Sequence, residues 1–220
     1  MHKLYRELAW LYDKIYPTIF DYDKVYQNIS GFLEQHQCQT ILEVGCGSGR
    51  LMEILENNGY EVTGLDLNQE MLDIARSRCS GKLIKQDIRE IYLNINFDAL
   101  ICLGRTFGYM LNNHDADRAI KSFNKALRKG GLLIMDSFDA DVTRRYNFGE
   151  VRENSFEFED MKIIRRSKSF GYDISDSTWL VDWEYVIEND SRYSVLDNAK
   201  LRSYNKGELQ KMLYHNGFKD

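Results

Sequence analysis

Hydrophobic residues recur at helical spacing through the first 38 residues of the chain. They fall into two runs, separated by Pro17, which is the only proline in the sequence. The runs are Leu4, Leu8, Leu11 and Ile15, followed by Val25, Ile29, Phe32 and Leu33. Because this spacing places each run on one face of a helix, we predict two N-terminal helices within residues 1–38.

Short, almost entirely apolar segments then alternate with amphipathic ones. The pattern predicts strands at 40–45, 60–65, 82–86, 97–103 and 131–136, with helices at 49–57, 68–78 and 115–128. Strands of this composition are buried on both faces, which is typical of a parallel sheet covered by helices on both sides. We therefore predict an α/β core, a doubly wound and mostly parallel sheet, in residues 39–140.

From about residue 145 the hydrophobic period changes to two. Every second residue from Trp179 to Ile187 is apolar or aromatic, namely Trp179, Val181, Trp183, Tyr185 and Ile187. Such a period predicts an antiparallel strand with one partly solvated face. The apolar stripe on this strand either packs in the core or lines an acceptor pocket. Residues 161–170 and 193–203 are candidates for its neighbours. We predict a small antiparallel layer, inserted after the fifth strand in residues 145–203, over the mouth of the core.

A last helix is predicted in residues 204–220, with Gly217 as its stop. We expect all 220 residues to form one domain, since this length suits a single α/β core. The 29 Lys and Arg against 34 Asp and Glu leave a net charge of −5, which disfavours a nucleic-acid partner.

The sequence lacks the features of secreted or membrane proteins. No apolar run approaches the roughly 20 residues of a membrane span, and the first residues lack the apolar centre of a secretion signal. Four widely spaced cysteines fit no Cys-x-x-Cys pattern. We expect a cytoplasmic protein with reduced thiols and no membrane partner, and the sequence leaves homodimerisation open.

Three alternate glycines, Gly45, Gly47 and Gly49, connect the first predicted strand to a helix. Glycines let the backbone approach a ligand closely, and the helix N-terminus offers free N–H groups to an anion. Asp66 ends the second strand, where a carboxylate accepts hydrogen bonds from ribose hydroxyls, and Asp87 ends the third. Since strand ends meet at one edge of a parallel sheet, these residues predict an adenosine site; the alternative is an ordinary turn with a solvated acid.

The spacing also distinguishes between adenosine cofactors. A dinucleotide fingerprint requires a small residue where this chain has Arg50, which disfavours a nicotinamide oxidoreductase. Glu43, two residues before Gly45, instead completes the pattern E-x-G-x-G-x-G. This pattern, with Asp66 and the pair Asp87-Ile88, resembles the motifs of class I S-adenosylmethionine-dependent methyltransferases.

The resemblance implies S-adenosylmethionine as the cofactor and no metal ion. It places Gly45, Gly47 and Gly49 around the methionine part of the cofactor and Glu43 near its ammonium group. Asp66 is then expected on the ribose, with Asp87 and Ile88 at the adenine. We further expect Leu67, Met71 and Leu103 to contact the cofactor, Met71 on the adenine face.

Three segments give a finer resemblance. Residues 7–13, residues 101–110 and the late antiparallel segment are similar to small-molecule N-methyltransferases, notably the aminosugar N,N-dimethyltransferases. In that group a histidine commonly stands where this chain has Tyr109. The resemblance implies in-line transfer of a methyl group to a small-molecule acceptor, with an amine as the leading expectation.

A protonated amine must lose a proton before it attacks, so residues that relay or orient a proton are expected. The candidates are Tyr109, His114 and Tyr12, with Asp136 and Tyr109 as contacts of the acceptor. Helix packing is the alternative for Tyr12, and a loop or helix-capping role is the alternative for His114. A protein or carboxylate acceptor stays open, as does a cofactor-binding or regulatory subunit without turnover.

The sheet of this family normally continues with two more strands after the last helix. The sequence ends where the first of them is expected, so we expect the C-terminal strands to be missing from it. About 20–30 residues would be needed to form them. A truncated chain, an edge covered by another chain and a protein that lacks these strands are all compatible with the sequence.

Overall fold

A computed structural model describes residues 2–219 of the chain. Its core is a five-stranded sheet in the order β3-β2-β1-β4-β5, with every neighbouring pair parallel. The strands are β1 Thr40–Val44, β2 Glu61–Asp66, β3 Lys82–Lys85, β4 Phe97–Cys102 and β5 Leu127–Met135. The predicted doubly wound parallel sheet is therefore confirmed.

Helices cover both faces of this sheet. On one face α2 and α3 pack through Leu33 and Leu51 against Ile41, and on the other α5 packs through Phe123 against Leu42. Successive residues of β1 thus point to opposite sides, which explains its uninterrupted apolar sequence. The helices are α1 Ala9–Ile15, α2 Tyr22–Gln35, α3 Arg50–Asn57, α4 Gln69–Ala75, α5 Asn113–Ala126, α6 Ala140–Thr143 and α7 Lys206–His215.

A second five-stranded sheet follows, in the order β6-β10-β9-β8-β7. Its strands are β6 Phe138–Asp139, β7 Val151–Glu157, β8 Lys162–Asp173, β9 Thr178–Glu188 and β10 Arg192–Tyr204. The predicted antiparallel layer is present in β7 to β10, whose neighbouring pairs are all antiparallel. It is larger than expected and becomes a mixed sheet through β6, which pairs in parallel with β10. β6 is too short to show a period, and all of β7 except Phe156 is exposed.

The stripe on β9 behaves as its period of two predicts. Trp179, Val181, Tyr185 and Ile187 are buried and Trp183 is half-buried, whereas Leu180 is exposed. Tyr185 and Ile187 pack against the apolar residues of the N-terminal segment, which are Leu4, Leu8, Leu11 and Ile15. Residues 2–15, here called the N-terminal segment, therefore lie between the two sheets, where they can cover a site at the edge of the parallel sheet.

Two boundaries differ from the prediction. β5 begins at Leu127, inside the predicted helix 115–128, because an irregular pairing opposite Phe97 and Ala99 keeps the chain in the sheet. α7 ends at His215, and Gly217 has a φ of +89°, as expected of a helix stop. In residues 2–219, β5 forms one edge of the parallel sheet.

No helix in the described part of the chain is long and apolar enough to cross a membrane. All four cysteines are unpaired, with Cys38, Cys46 and Cys102 buried and Cys79 half-buried.

Candidate active site

The glycine loop connects β1 to α3 in a conformation that requires glycine. Gly45 and Gly47 have φ values of +70° and +55°, in the left-handed region. A Cβ on Gly45 would lie 2.4 Å from Oγ1 of Thr106, and one on Gly47 would lie 3.2 Å from Cε of Met71. The loop backbone therefore approaches its neighbours more closely than any side chain would allow.

Gly49 has a different environment from the other two glycines. It precedes α3 with a φ of +81°, and a Cβ there would lie 2.7 Å from Sγ of Cys79. Its neighbours are Ala75, at the end of α4, and Cys79 just after it, and Gly49 is not among the residues that line the cavities described next. Gly49 therefore permits the turn and the close packing of α4.

A cavity of about 310 Å³, here called the sheet-edge cavity, opens at the carboxyl ends of β2 and β3. Eight of the predicted cofactor residues line it, namely Gly45, Gly47, Asp66, Leu67, Met71, Asp87, Ile88 and Leu103. The structure thus brings together residues that are far apart in the chain, because neighbouring parallel strands end side by side. The sequence analysis missed Asn68 and Arg89, which also line this cavity.

Asp66 ties the end of β2 to the glycine loop. Its carboxylate accepts hydrogen bonds from the backbone N–H of Gly47 at 3.0 Å and from the backbone N–H of Asn68 at 2.8 Å. Burial raises the pKa of Asp66, while these hydrogen bonds act to lower it. A carboxylate has about four lone-pair positions, so Asp66 keeps acceptor capacity for a ligand in the cavity.

Asp87 has a partner that the sequence analysis did not identify. Its carboxylate accepts hydrogen bonds from the backbone N–H and from Nε of Arg89, each at 2.9 Å. The hydrogen bonds from the Arg89 side chain lower the pKa of Asp87. Arg89 also reaches Asp115 at 3.2 Å, which links this wall of the cavity to α5. An arginine two residues after a strand-end acid was the signal available in the sequence.

A second cavity of about 450 Å³, here called the aromatic cavity, lies under the N-terminal segment and the second sheet. Aromatic rings dominate its wall, and they belong to Tyr16, Phe20, Tyr22, Phe138 and Trp183. Its charged lining residues are Glu43, Arg50, Arg105 and Asp136. The two cavities share the lining residues Tyr5, Tyr12, Gly45, Leu103, Gly104 and Tyr109, so they meet at this junction.

Glu43 is a buried acid without a partner. It lies in β1, is 6% exposed, and its Oε2 has no hydrogen-bond partner in the described structure. Burial, with a smaller contribution from the nearby charge of Asp66, raises the pKa of Glu43 to about 8. Because a buried unpaired acid is costly, this position suits a ligand that brings a positive charge and N–H donors.

Comparison with known proteins identifies the activity to which this geometry belongs. Residues 41–131, from β1 to β5, match the family model described as a methyltransferase domain. The chain is also 28% identical to the putative methyltransferase YqeM of Bacillus subtilis, over 98% of this chain and 86% of that protein. The chain therefore carries a methyltransferase domain. This result favours an enzyme over the cofactor-binding subunit considered above.

Two further comparisons describe relatives of the methyltransferase. The dTDP-3-amino-3,4,6-trideoxy-alpha-D-glucopyranose N,N-dimethyltransferase of Streptomyces venezuelae is 27% identical over 50% of this chain and 51% of that protein. The crystal structure of the amino pentose methyltransferase CalS10 of Micromonospora echinaspora, with S-adenosylmethionine bound, superposes with a TM-score of 0.80. That likeness, at 21% identity over 94% of this chain and 88% of the other, establishes the shared fold.

The residues present fit the cofactor. S-adenosylmethionine carries a ribose, an adenine and a methionine ammonium group, and the methyltransferase offers a strand-end acid, an apolar slot and an unpaired buried acid. Beside Gly47 the cavity wall is formed by Met71, whose Cε would lie 3.2 Å from a Cβ at that position. Thus both cavities of the methyltransferase carry groups that match parts of the cofactor.

Tyrosine hydroxyls gather at the junction of the cavities. The hydroxyl oxygens of Tyr5 and Tyr109 lie 3.0 Å apart, and the rings of Tyr12 and Tyr16 stack with centroids 4.0 Å apart. Burial raises the pKa of Tyr5, Tyr12 and Tyr109. These hydroxyls therefore keep their protons at neutral pH and act as hydrogen-bond donors. Tyr5 was missed because it lies in a helical apolar run.

The structure does not bring His114 to this junction. His114 is exposed in the first turn of α5 and lines a shallow surface depression with residues of α7, among them Lys211 and His215. It lines neither the sheet-edge cavity nor the aromatic cavity. The N-cap of α5 is Asn112, whose side chain accepts a hydrogen bond from the backbone N–H of Asp115 at 2.8 Å.

Asp136 follows β5 and lines the aromatic cavity. Its Oδ1 accepts a hydrogen bond from the backbone N–H of Arg105 at 2.8 Å. Burial raises the pKa of Asp136, although the hydrogen bonds and charge of Arg105 act to lower it. An acid held by backbone at the wall of an aromatic cavity is placed to meet a cationic group.

Two carboxylates that the sequence analysis missed hold the N-terminal segment over the cavities. Asp13 accepts hydrogen bonds from Nε of Arg50 at 3.0 Å and from Nη2 of Arg78 at 2.8 Å. Asp197, on β10, accepts the backbone N–H groups of Lys3 and Leu4, each at 2.9 Å. The N-terminal segment that carries Tyr5 and Tyr12 is thereby attached to the helical layer around α3 and α4 and to β10.

Proposed function

We propose that the methyltransferase transfers a methyl group to the amine of a small acceptor bound in the aromatic cavity. The observation that carries this proposal is the junction of two cavities with different chemistry. One has acids and apolar side chains at the edge of the parallel sheet, as an adenosine requires. The other has aromatic walls and the acid Asp136, as an ammonium group favours.

The cofactor would lie along the sheet edge and through the junction. Asp66 would accept the ribose hydroxyls, with Leu67 beside it, while Met71, Asp87 and Ile88 would hold the adenine. The methionine part would pass over Gly45 and Gly47, with Leu103 at the junction, and its ammonium group would pair with Glu43. When bound, S-adenosylmethionine supplies an activated methyl group. Glu43 lines the aromatic cavity whereas Asp66 lines the sheet-edge cavity, so the reactive centre would fall between them.

The residues of the chain would align the acceptor and manage its proton. Tyr109 and Tyr12 would donate hydrogen bonds and orient the acceptor, and Tyr5 would hold the Tyr109 hydroxyl. Asp136, whose pKa is raised by burial, would hold the acceptor ammonium and take part in its deprotonation. Closure of the junction by the N-terminal segment would exclude water from the reaction.

Two similar proteins support an amine as the acceptor class. The Streptomyces venezuelae relative is an N,N-dimethyltransferase of a dTDP-linked aminosugar, and CalS10 is an amino pentose methyltransferase. The aromatic wall of this methyltransferase agrees with that chemistry, because aromatic faces attract cationic amines.

The test measures cofactor binding and turnover separately. Calorimetry with S-adenosylhomocysteine would compare the unmodified chain with Asp66→Ala and with the control Asp73→Ala, an exposed acid of α4. Loss of about tenfold in affinity is expected for Asp66→Ala alone, because a charge-assisted hydrogen bond is removed. Production of S-adenosylhomocysteine would then be followed with aminosugars and simple amines, each beside its hydroxyl analogue. Turnover of the hydroxyl analogues but not of the amines would contradict the proposal.

A further inference from the structure

His2 borders the junction of the two cavities. It lines the sheet-edge cavity, and its ring stacks on the ring of Trp183, which lines the aromatic cavity, with centroids 4.9 Å apart. The centroid of its ring is also 4.6 Å from that of Tyr5 and 6.2 Å from that of Tyr109, and these two tyrosines line both cavities. The imidazole therefore stands beside the place where the proposed cofactor and acceptor would meet.

A buried carboxylate orients this imidazole. Nδ1 of His2 lies against Oδ2 of Asp197, and the two side chains are only 9% and 3% exposed. Oδ1 of Asp197 accepts the backbone N–H of Lys3 at 2.9 Å, and its Oδ2 accepts that of Leu4 at 2.9 Å. The main chain next to His2 thus fixes both oxygens of the carboxylate that faces the imidazole.

The contact with Asp197 decides which ring nitrogen of His2 is free. Apart from this contact, Nδ1 is buried and has no hydrogen-bond partner in the described structure. A ring nitrogen and a carboxylate oxygen in contact need a proton between them, because a carboxylate only accepts hydrogen bonds. Nδ1 therefore carries the proton, and the neutral ring keeps its lone pair on Nε2. Since His2 lines a cavity while Nδ1 is buried, Nε2 is the nitrogen that meets a ligand.

Other polar groups at the junction are poorer proton acceptors. Burial raises the pKa of Tyr5 and of Tyr109, so both hydroxyls are protonated at neutral pH. Asp136 already accepts a hydrogen bond from the backbone N–H of Arg105, and a carboxylate is ordinarily a weaker base than an imidazole. A histidine takes up a proton near neutral pH, where a general base is most effective. The chemistry of a base at this junction therefore suits His2.

We propose that His2 is the general base of the methyltransferase: its Nε2 accepts the proton that the acceptor loses, and Asp197 is the positioning residue that holds the imidazole. This inference rests on the proposed function, since it concerns the acceptor of the same site. Asp136 would hold the acceptor ammonium from the aromatic cavity, and His2 would take its proton from the side of the sheet-edge cavity.

The proton transfer is balanced within the site. An N–H bond of the acceptor ammonium breaks, its electron pair stays on the acceptor nitrogen, and the lone pair of Nε2 forms the new N–H bond. The imidazolium of His2 then faces the carboxylate of Asp197 and the ring of Trp183, which both favour a positive charge. The proton passes to water when the product leaves.

The groups around His2 allow its titration to be read from a pH profile. They are Asp197 on β10, Tyr5 in the turn Lys3–Tyr5 and Tyr109 in the turn Thr106–Tyr109, whereas β9 contributes the uncharged Trp183. Burial acts to raise the pKa of Asp197, but its contacts with His2 and with the backbone N–H groups of Lys3 and Leu4 lower it. None of these neighbours changes charge near neutral pH, where an imidazole does. The kcat of the unmodified chain is therefore expected to rise with pH and to level off once Nε2 is free.

NMR of the nitrogen-15-labelled full chain tests the tautomer without any acceptor. The chain has four histidines, so comparison with His2→Gln assigns the signals of His2. Above neutral pH the proton is expected on Nδ1, and a proton on Nε2 would overturn the proposal. Asp197→Asn is expected to mix the two tautomers, because an amide both donates and accepts hydrogen bonds. Asp182→Asn, which changes an exposed acid on the neighbouring strand β9, is the control and is expected to leave the tautomer unchanged.

Kinetics with the amines of the screen described above tests the base itself. His2→Gln is expected to lower kcat by about 100-fold and to remove the plateau of the pH profile, with little change in affinity for S-adenosylhomocysteine. Asp197→Asn is expected to lower kcat by about tenfold. His36→Gln, at the exposed C-terminal end of α2, is the matched control. Equal kcat in His2→Gln and in the unmodified chain, with thermal melts showing folded protein, would overturn the proposal.

The outcomes separate this inference from the proposed function. Methylation of amines at equal rates by the unmodified chain and by His2→Gln would support the function and overturn the role of His2. Methylation of the hydroxyl analogues alone, lost in His2→Gln, would contradict the amine acceptor and support His2 as the base, because a hydroxyl must also lose its proton.

Discussion

The sheet-edge cavity and the aromatic cavity are built in different ways. The first is formed mainly by the loops that follow the parallel strands, namely the glycine loop and residues within 66–89 and 103–110, with His2, Tyr5 and Tyr12 added from the N-terminal segment. The second is assembled from the N-terminal segment, α2, the end of β5 and the second sheet. In the proposed function, a cofactor site that recurs with one fold is joined to an acceptor site made by distant segments. This division would let the acceptor vary while the cofactor site stays constant.

The largest effect is expected for a substitution in the glycine loop of the sheet-edge cavity. Gly45→Ala places a Cβ about where Thr106 lies and strains a positive φ, so affinity for S-adenosylhomocysteine should fall by about 100-fold, as measured by calorimetry. Gly59→Ala is the control, because Gly59 also has a positive φ of +89° but no atom within 4 Å of a Cβ. Equal loss in both variants would show that backbone strain, rather than the close approach to Thr106, explains the effect.

A pH titration examines Glu43, at the boundary of the two cavities. Its pKa is raised to about 8 without ligand, so the stability it contributes is present below its unfolded pKa and is lost as pH rises towards about 8. Pairing with the ammonium of S-adenosylhomocysteine requires the carboxylate, so ligand affinity should rise from pH 6 to 8, by about tenfold. Glu43→Gln should bind more weakly and with no rise in affinity over this range. An identical pH profile in the variant would exclude Glu43 as the partner.

Removing the carboxylate of Asp13 tests the aromatic cavity, because this residue holds the N-terminal segment over it. Burial alone would raise its pKa, but hydrogen bonds from Arg78 and Arg50 lower it to about 2. Asp13→Asn should reduce the free energy of unfolding by about 1–2 kcal/mol, measured by urea denaturation, after allowance for partial exposure of the arginines. KM for the acceptor should rise more than the dissociation constant of S-adenosylhomocysteine.

The same carboxylate sets a pH dependence of stability. Because the folded pKa of Asp13 is depressed, its contribution is present above about pH 4 and is lost as pH falls towards 2. Asp23→Asn, a change in the first turn of α2, serves as the control. Equal losses of stability in the two variants would contradict a stabilising role for the hydrogen bonds from Arg50 and Arg78 to Asp13.

The smallest expected effect concerns the hydroxyl pair at the junction. Tyr5→Phe removes one partner of the 3.0 Å hydrogen bond to Tyr109, worth about 1 kcal/mol, so kcat should fall roughly fivefold with little change in cofactor affinity. Tyr92→Phe, which alters an exposed tyrosine, is the control. A larger effect on cofactor affinity than on kcat would place the pair at the cofactor rather than at the acceptor.

Prediction from the sequence succeeded where the hydrophobic pattern along the chain is enough to place a residue in the fold. The apolar strands around Ile41 and Leu100 and the strand-end acid Asp66 follow from a parallel sheet, whose strands are buried and whose ends align. It failed for β7, which is exposed and therefore carries no period. It also placed His114 among the catalytic candidates, although His114 lies on the surface of α5, because residue type alone does not reveal distance from a cavity.

The sequence by itself determined the parallel core, the glycine loop and the family of the cofactor, since each depends on residues that are neighbours along the chain or recur with the strand period. Only the tertiary structure decided how the aromatic cavity is assembled: which tyrosines meet, and that Asp13 and Asp197 hold the N-terminal segment. Tyr5 and Tyr109 are 104 positions apart, and Leu4 and Asp197 are 193 positions apart. Such contacts arise from the packing of one sheet against another, and no local period in the sequence records them.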